Sequence, residues 1–122
     1  MTDFDTLAQR YIAAWNETDA DARSAAVAAL YAEDARYTDP LVDAEGREAI
    51  AATIAAVQGQ FPGFQFRLAG PVDAHHDQAR FGWELGPAGA QEAPIAGFDV
   101  AVRDADGRLR SVLGFLDRVP TA

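Results

Sequence analysis

The sequence contains no cysteine, no lysine and no apolar run long enough to cross a bilayer as a helix. The lack of cysteine excludes a disulfide framework and a thiolate metal site, and it leaves the redox compartment undefined. The first residues are acidic, whereas a secretory signal peptide begins with basic residues. We therefore expect a cytoplasmic protein that does not act at a membrane.

Positive charge is also scarce, because ten basic residues, all arginine, face 19 acidic ones and give a net charge of −9. Only Arg108 and Arg110 stand close together. They alternate with leucine on a predicted strand, so a solvated strand face explains them. Nucleic acids and anionic membranes attract basic patches. The composition therefore predicts no nucleic-acid partner.

The remaining composition is that of an ordinary globular domain, with 49% hydrophobic and 24% charged residues. The 122 residues are enough to bury one core without disulfide or metal support. No internal repeat, low-complexity linker or change of composition divides the sequence. We predict a single domain over residues 1–122.

The hydrophobic pattern changes its period halfway along the chain. Apolar residues first recur every three or four positions, which predicts helices, and from Phe64 onward they alternate, which predicts strands. The predicted helices are about Phe4–Trp15, Ala20–Ala32 and Gly46–Phe61, and the predicted strands are about Ala35–Asp39, Phe64–Ala69, Phe81–Leu85, Pro94–Arg103 and Leu109–Val119. This order indicates an α+β fold with helices against an antiparallel sheet. A strongly curved sheet would leave a cavity at its open end.

Asp39 is the most informative single residue, because it directly precedes Pro40 at the end of the first predicted strand. The proline ring disfavours a helical predecessor, so Asp39 is expected to be extended and Tyr37 to point to the same side. A carboxylate beside aromatic rings in a covered pocket is poorly solvated as an ion and therefore a good general base. A surface Asp-Pro turn is the alternative interpretation.

Short motifs follow one another along nearly the whole chain: Gln9–Asn16, Leu30–Ala35, Thr38–Pro40, Gly46–Ile50, Gly70–Val72 and the stretch from Phe98 to Arg108. Their order and spacing resemble the nuclear transport factor 2-like superfamily, which includes SnoaL-like polyketide cyclases and bacterial ketosteroid isomerases. The resemblance implies a cone-shaped α+β fold, with three N-terminal helices packed in a strongly curved antiparallel sheet.

The same resemblance implies a catalytic site of Tyr11, Asp39 and Asp99. In the ketosteroid isomerases, the aspartate at the position of Asp39 moves a proton between carbons beside a ketone. The tyrosine and a protonated aspartate, at the positions of Tyr11 and Asp99, hydrogen-bond the developing enolate. This chemistry uses no cofactor, so we predict none here.

Departures from the isomerases affect the expected pocket wall. A supporting tyrosine of some isomerases falls at Ile54, and a tryptophan of their last strand falls at Leu116. An extra stretch from Glu17 to Ser24 and a different loop from Gly86 to Glu92 alter the outline further. These changes argue against steroid specificity. The predicted ligand pocket is Trp15, Tyr31, Tyr37, Phe61, Trp83 and Phe115.

The direction of Asp99 is open, because it alternates with small residues while its direct neighbours, Phe98 and Val100, are apolar. If the apolar residues face the helices, Asp99 faces solvent. The resemblance to the isomerases favours the inward direction, because the spacing from Asp99 to Gly107 matches that of their oxyanion-hole aspartate. The adjacent pair His75 and His76 does not predict a metal site, since neighbouring residues of an extended segment point apart. We predict no bound metal.

Three functions are compatible with these residues. The first is a cofactor-free acid–base enzyme, an isomerase or an aldol-type cyclase, acting on a small apolar carbonyl compound. The second is a non-catalytic domain that binds a small apolar molecule, and the third is a protein-interaction module. We also expect a homodimer through the outer sheet face, where a short chain leaves apolar positions uncovered.

Overall fold

The computed structural model describes residues 3–120, which form three helices and six strands. The helices are α1 (Phe4–Asn16), α2 (Ala20–Leu30) and α3 (Arg47–Gln60). The strands are β1 (Tyr31–Thr38), β2 (Asp43–Glu45), β3 (Phe64–His75), β4 (Gln78–Pro87), β5 (Ile95–Arg103) and β6 (Leu109–Arg118). None of these helices is long and apolar enough to span a membrane.

The helices begin at residues suited to that position. The Asp3 carboxylate accepts the Thr6 N–H at 2.8 Å and caps α1, and Asp19 accepts the Ala22 N–H at 2.9 Å and caps α2. Gly46, with a φ of 90°, provides the left-handed conformation from which α3 starts. These local signals explain why the starts of the predicted helices are confirmed.

All six strands belong to one curved, unclosed sheet in the order β2-β1-β6-β5-β4-β3. Neighbouring strands are antiparallel except β1 and β6, which are parallel. The register shifts within the β1–β6, β3–β4 and β5–β6 pairs. Such irregularities bend strands and increase twist, so they help the sheet to curve around the helices. The predicted α+β fold is confirmed, with one parallel pair that was not predicted.

The end of α2 and the start of β1 differ from the sequence prediction. The second helix ends at Leu30, and Tyr31 and Ala32 already belong to β1. Tyr31 is extended, pairs with Leu109 of β6 and has its carbonyl oxygen bonded by the Arg47 guanidinium at 2.9 Å. These tertiary contacts outweigh the local helical pattern. The short strand β2 was also not predicted.

Residues of β5 alternate between the inner and outer face of the sheet. Gly97, Asp99 and Ala101 are buried, whereas Phe98, Val100 and Val102 are partly exposed. The buried set faces the core that the helices cover, so Asp99 points inward. The small residues leave room on that face, and the apolar residues lie on the outer one.

Candidate functional site

A cavity of about 260 Å³ lies between the helices and the inner face of the sheet. Most of its wall is aromatic or aliphatic, and its hydroxyl, carboxyl and amide side chains are Tyr11, Tyr37, Asp39, Asp99 and Gln60. No arginine or histidine is present among the residues of the 3–120 range that line it. The cavity is therefore apolar with a local concentration of acidic groups.

Tyr11 and Asp99 form a buried hydrogen-bonded pair inside this cavity. The third turn of α1 presents Tyr11 and β5 presents Asp99, and the Tyr11 hydroxyl donates to Asp99 Oδ2 at 2.7 Å. Asp99 is 2% exposed. Burial, reinforced by the charge of Asp39, raises the Asp99 pKa to about 6, although the hydrogen bond from Tyr11 and the nearby indole N–H of Trp83 act in the opposite direction.

The Tyr11 hydroxyl remains a neutral donor. Burial and the neighbouring charge of Asp99 raise the pKa of Tyr11 well above its ordinary value. The phenol therefore keeps its proton across the physiological range and can donate it in a hydrogen bond. Such a donor can stabilise negative charge on a nearby oxygen.

Asp39 directly follows β1 and lines the same cavity, with its side chain half-buried. Its Oδ2 accepts the Tyr37 hydroxyl at 2.6 Å, and its Oδ1 accepts the backbone N–H groups of Leu41 and Val42 at 2.8 and 2.9 Å. Asp39 therefore shapes the turn after Pro40 and also lines the cavity. The turn of the alternative interpretation is therefore present, and the role of Asp39 as a base stays a prediction.

Gly114 of β6 brings the two carboxylates together. A Cβ atom added to Gly114 would lie 2.8 Å from Asp99 Oδ1 and 3.3 Å from Asp39 Cβ, so both side chains flank the same small space. At this separation the charge of Asp39 contributes to the raised pKa of Asp99. Gly114 was missed from the sequence, although a glycine inside a strand is a signal of close approach by another group.

The aromatic residues divide between wall, rim and core. Trp15, Tyr37, Phe61 and Trp83 line the cavity, together with Phe66, whose ring meets that of Trp83 edge-on at 5.4 Å. The structure places Tyr31 differently from the prediction. It is fully buried behind the wall, where its hydroxyl accepts the Trp15 indole N–H at 3.3 Å. Tyr31 is the first residue of β1, and its side chain belongs to the buried core.

Phe115 lines the cavity, as predicted, but it is also exposed to solvent. Its side chain is 50% exposed, and its ring stacks on Phe98 at 4.9 Å on the outer side of the sheet. Far from this site, His75 hydrogen-bonds Gln78 at the β3–β4 hairpin. Within residues 3–120, no three His, Asp or Glu side chains are grouped so that they could hold a metal ion.

Comparison with known proteins identifies the family. The SnoaL-like domain profile matches residues 8–112. A crystal structure of a proposed isomerase of the SnoaL-like family from Agrobacterium tumefaciens strain C58 is 44% identical, with a TM-score of 0.87, 92% of this chain covered and 95% of that one.

More distant structures share the fold. A nuclear transport factor 2-like protein of unknown function from an Exiguobacterium species is 19% identical, with a TM-score of 0.72 over 91% of this chain and 98% of that one. A proposed polyketide cyclase from Sinorhizobium meliloti is 17% identical, with a TM-score of 0.71 over 93% and 99%. No curated protein sequence matches. The chain belongs to the SnoaL-like family, and it has the fold of nuclear transport factor 2-like proteins.

Proposed function

We propose that the protein is a cofactor-independent acid–base catalyst that isomerises or cyclises a small apolar carbonyl compound. The observation that carries this proposal is the hydrogen-bonded pair of Tyr11 and Asp99 in one apolar cavity with Asp39. The 44%-identical relative, described as a proposed isomerase, gives independent support. Asp39 serves as the base, and Tyr11 with Asp99 stabilises the oxyanion.

Asp99 has to be neutral to donate a hydrogen bond to an enolate. With a pKa of about 6 in the empty cavity, Asp99 is mostly ionised at pH 7. An apolar ligand displaces water from the cavity, and this desolvation raises the Asp99 pKa further. Ligand binding therefore shifts Asp99 toward the protonated form, which can donate to the carbonyl oxygen as negative charge develops there.

The chemistry follows from this division of roles. Asp39 removes a proton from the carbon next to the carbonyl, and the electron pair of that C–H bond moves to form the enolate. Returning the proton to a different carbon isomerises the compound. Attack of the enolate carbon on a second carbonyl of the same molecule closes a ring instead, and the proton from Asp39 then neutralises the new alkoxide.

A non-catalytic binding domain is the alternative, and the contacts of Asp39 favour it. Both carboxylate oxygens already accept hydrogen bonds, from Tyr37 and from two backbone N–H groups of the following turn. A purely structural aspartate makes the same contacts. The alternative retains the cavity and its apolar ligand but assigns no proton transfer to Asp39.

Binding of a phenol that mimics the enolate distinguishes the two functions. A fluorescent naphthol is titrated into the wild type, Asp39→Asn and Tyr11→Phe. Asp39→Asn copies the protonated base and removes a negative charge near the bound oxygen, so naphthol affinity should increase severalfold. Tyr11→Phe removes one donor, so affinity should fall by about tenfold.

The matched control is Asp34→Asn, which removes an exposed carboxylate from the same strand, β1. Its naphthol affinity should equal that of the wild type. Equal affinity of all the variants would support the non-catalytic alternative, and absence of binding would contradict the proposed enzyme.

We also propose that the protein forms a homodimer through the outer face of β5 and β6. The stacked rings of Phe98 and Phe115 lie there, with Leu113 43% and Phe115 50% exposed. Adjacent exposed apolar side chains on a sheet typically mark an interface. Light scattering should give twice the chain mass for the wild type and one chain mass for Leu113→Arg. A monomeric wild type at micromolar concentration would contradict the dimer.

A further inference from the structure

Two buried polar atoms in the cavity wall have no hydrogen-bond partner. They are the indole Nε1 of Trp83, a donor, and Oδ1 of Asp99, an acceptor in the ionised form. Trp83 is 7% exposed and Asp99 is 2% exposed, and both residues line the cavity. Buried polar groups are normally paired, and a pair of unsatisfied atoms in a cavity wall therefore points to a ligand.

The sheet register explains why these two atoms are neighbours. In the β4–β5 pair, Trp83 lies opposite Gly97 and Phe81 lies opposite Asp99, so Trp83 and Asp99 are diagonal neighbours on the inner face. A Cβ atom on Gly97 would lie 2.6 Å from Trp83 Cζ2, which means that the indole ring covers the Gly97 backbone. The indole N–H is close enough to the Asp99 carboxylate to lower its pKa.

We propose that Trp83 Nε1 and Asp99 Oδ1 together bind one oxygen atom of the ligand. This inference rests on the proposed function, because it concerns the same cavity, and it adds a binding residue to that site. When Asp99 is ionised, a ligand hydroxyl donates to Oδ1 and accepts from the indole N–H. When Asp99 is protonated on Oδ1, both groups donate to a carbonyl or enolate oxygen.

Trp83 differs from Tyr11 in the state of its donor. The Tyr11 hydroxyl proton is already engaged with Asp99 Oδ2 at 2.7 Å, so it must turn away from Asp99 to bond a ligand directly. The Trp83 N–H breaks no hydrogen bond when a ligand oxygen arrives. In the empty state, Tyr11 holds the Asp99 carboxyl in place, and Trp83 provides the donor that is ready for the ligand.

The surroundings of this pair restrict the class of ligand. Two carboxylates line the cavity, and no basic side chain of the described residues does so. An anionic ligand would meet like charge without a counter-ion. The site therefore selects uncharged compounds with one oxygen directed at Trp83 and Asp99, such as ketones, enols and phenols, over carboxylates and phosphates.

The indole N–H signals of the wild-type protein test the contact directly. The chain has two tryptophans, so a proton–nitrogen correlation spectrum shows two indole signals, and Trp83→Phe assigns them. Adding 2-naphthol should move the Trp83 indole proton to lower field, whereas naphthalene, which lacks the oxygen, should not. The Trp15 indole donates to Tyr31 and serves as an internal reference, with the same response to both compounds.

Affinities of two matched variants provide the second test. In Trp83→Phe, the preference for 2-naphthol over naphthalene should fall by about fivefold, the loss expected for one hydrogen bond. In Trp15→Phe, both affinities fall through lost ring contacts, but their ratio should stay at the wild-type value. An unchanged preference in Trp83→Phe, or equal indole shifts with both compounds, would overturn the proposal.

The two proposals fail in distinguishable ways. If 2-naphthol binds and Tyr11→Phe weakens it while Trp83→Phe keeps the full preference, the role of Trp83 is refuted and the acid–base site stands. If the wild type binds neither compound, both proposals are contradicted.

Discussion

The stability of the Asp99→Asn variant relative to the wild type should be greater at neutral pH than in mild acid. The folded state raises the Asp99 pKa from an ordinary value of 3.8 to about 6, chiefly through burial. A carboxyl group with a raised pKa is favoured in its protonated form by folding. Its stabilising effect is complete below about pH 4 and is lost as pH rises to about 6.

The magnitude follows from the size of this shift. About two pKa units correspond to about 3 kcal/mol of unfolding free energy, of which about 2 kcal/mol is lost between pH 4.5 and pH 7.5. Asparagine has nearly the same shape, carries no charge at either pH and can still accept the Tyr11 hydroxyl. The stability of Asp99→Asn minus that of the wild type should therefore increase by about 2 kcal/mol over this pH interval.

Urea denaturation followed by circular dichroism at both pH values measures this difference. Asp43→Asn is the matched control. Asp43 is exposed, and hydrogen bonds from Arg36 and Thr38 lower its pKa to about 2, so its contribution to stability is nearly constant above pH 4.5. A stability difference for Asp99→Asn that does not change with pH would show that Asp99 titrates normally, and the reasoning about its burial would be wrong.

Three further substitutions test the geometry of the site. Tyr37→Phe removes the 2.6 Å hydrogen bond to Asp39 and should cost about 1 to 3 kcal/mol in urea denaturation; an unchanged midpoint would contradict this. Gly114→Ala places a methyl group between Asp99 and Asp39 and should reduce 2-naphthol affinity by about tenfold or more. The control is Gly59→Ala on α3, where a methyl group meets open space and should not change the affinity. Equal affinities of the two variants would refute the close approach at Gly114. Asn16→Ala removes two hydrogen bonds to the Phe66 backbone, at 2.7 and 2.9 Å, and should lower the unfolding free energy by about 2 kcal/mol. A loss of less than about 0.5 kcal/mol would contradict the role of these two hydrogen bonds.

The fold was predictable to a large extent because its local signals agree with its tertiary structure. The apolar spacing from Phe4 to Trp15 and the alternation after Phe64 both describe the observed elements, and the Asp3 and Asp19 side chains cap the first two helices. Prediction failed where long-range pairing decides the conformation. The residues that precede Tyr31 have a helical apolar pattern, but the pairing of Tyr31 with Leu109 of β6 makes it the first residue of a strand.

The site was predictable in its residue types but not in its hydrogen bonds. Spacing alone left Asp99 with two possible directions, because the side of the strand that the helices cover depends on the tertiary arrangement. The partners of Asp39 and Asp99, Tyr37 and Tyr11, depend on side-chain distances of 2.6 and 2.7 Å. Sequence periodicity does not determine such distances, so the unpaired Trp83 indole was also not visible from it.

The most direct test of the acid–base site is the titration of the Asp99 carboxyl carbon by carbon-detected NMR, without ligand and with 2-naphthol bound. Asp99→Asn identifies the signal. We expect a midpoint near pH 6 in the empty protein and a higher midpoint in the complex, since ligand binding removes water from the cavity. A midpoint near the ordinary value of 3.8, unchanged by the ligand, would contradict the assignment of Asp99 as the neutral donor of the site.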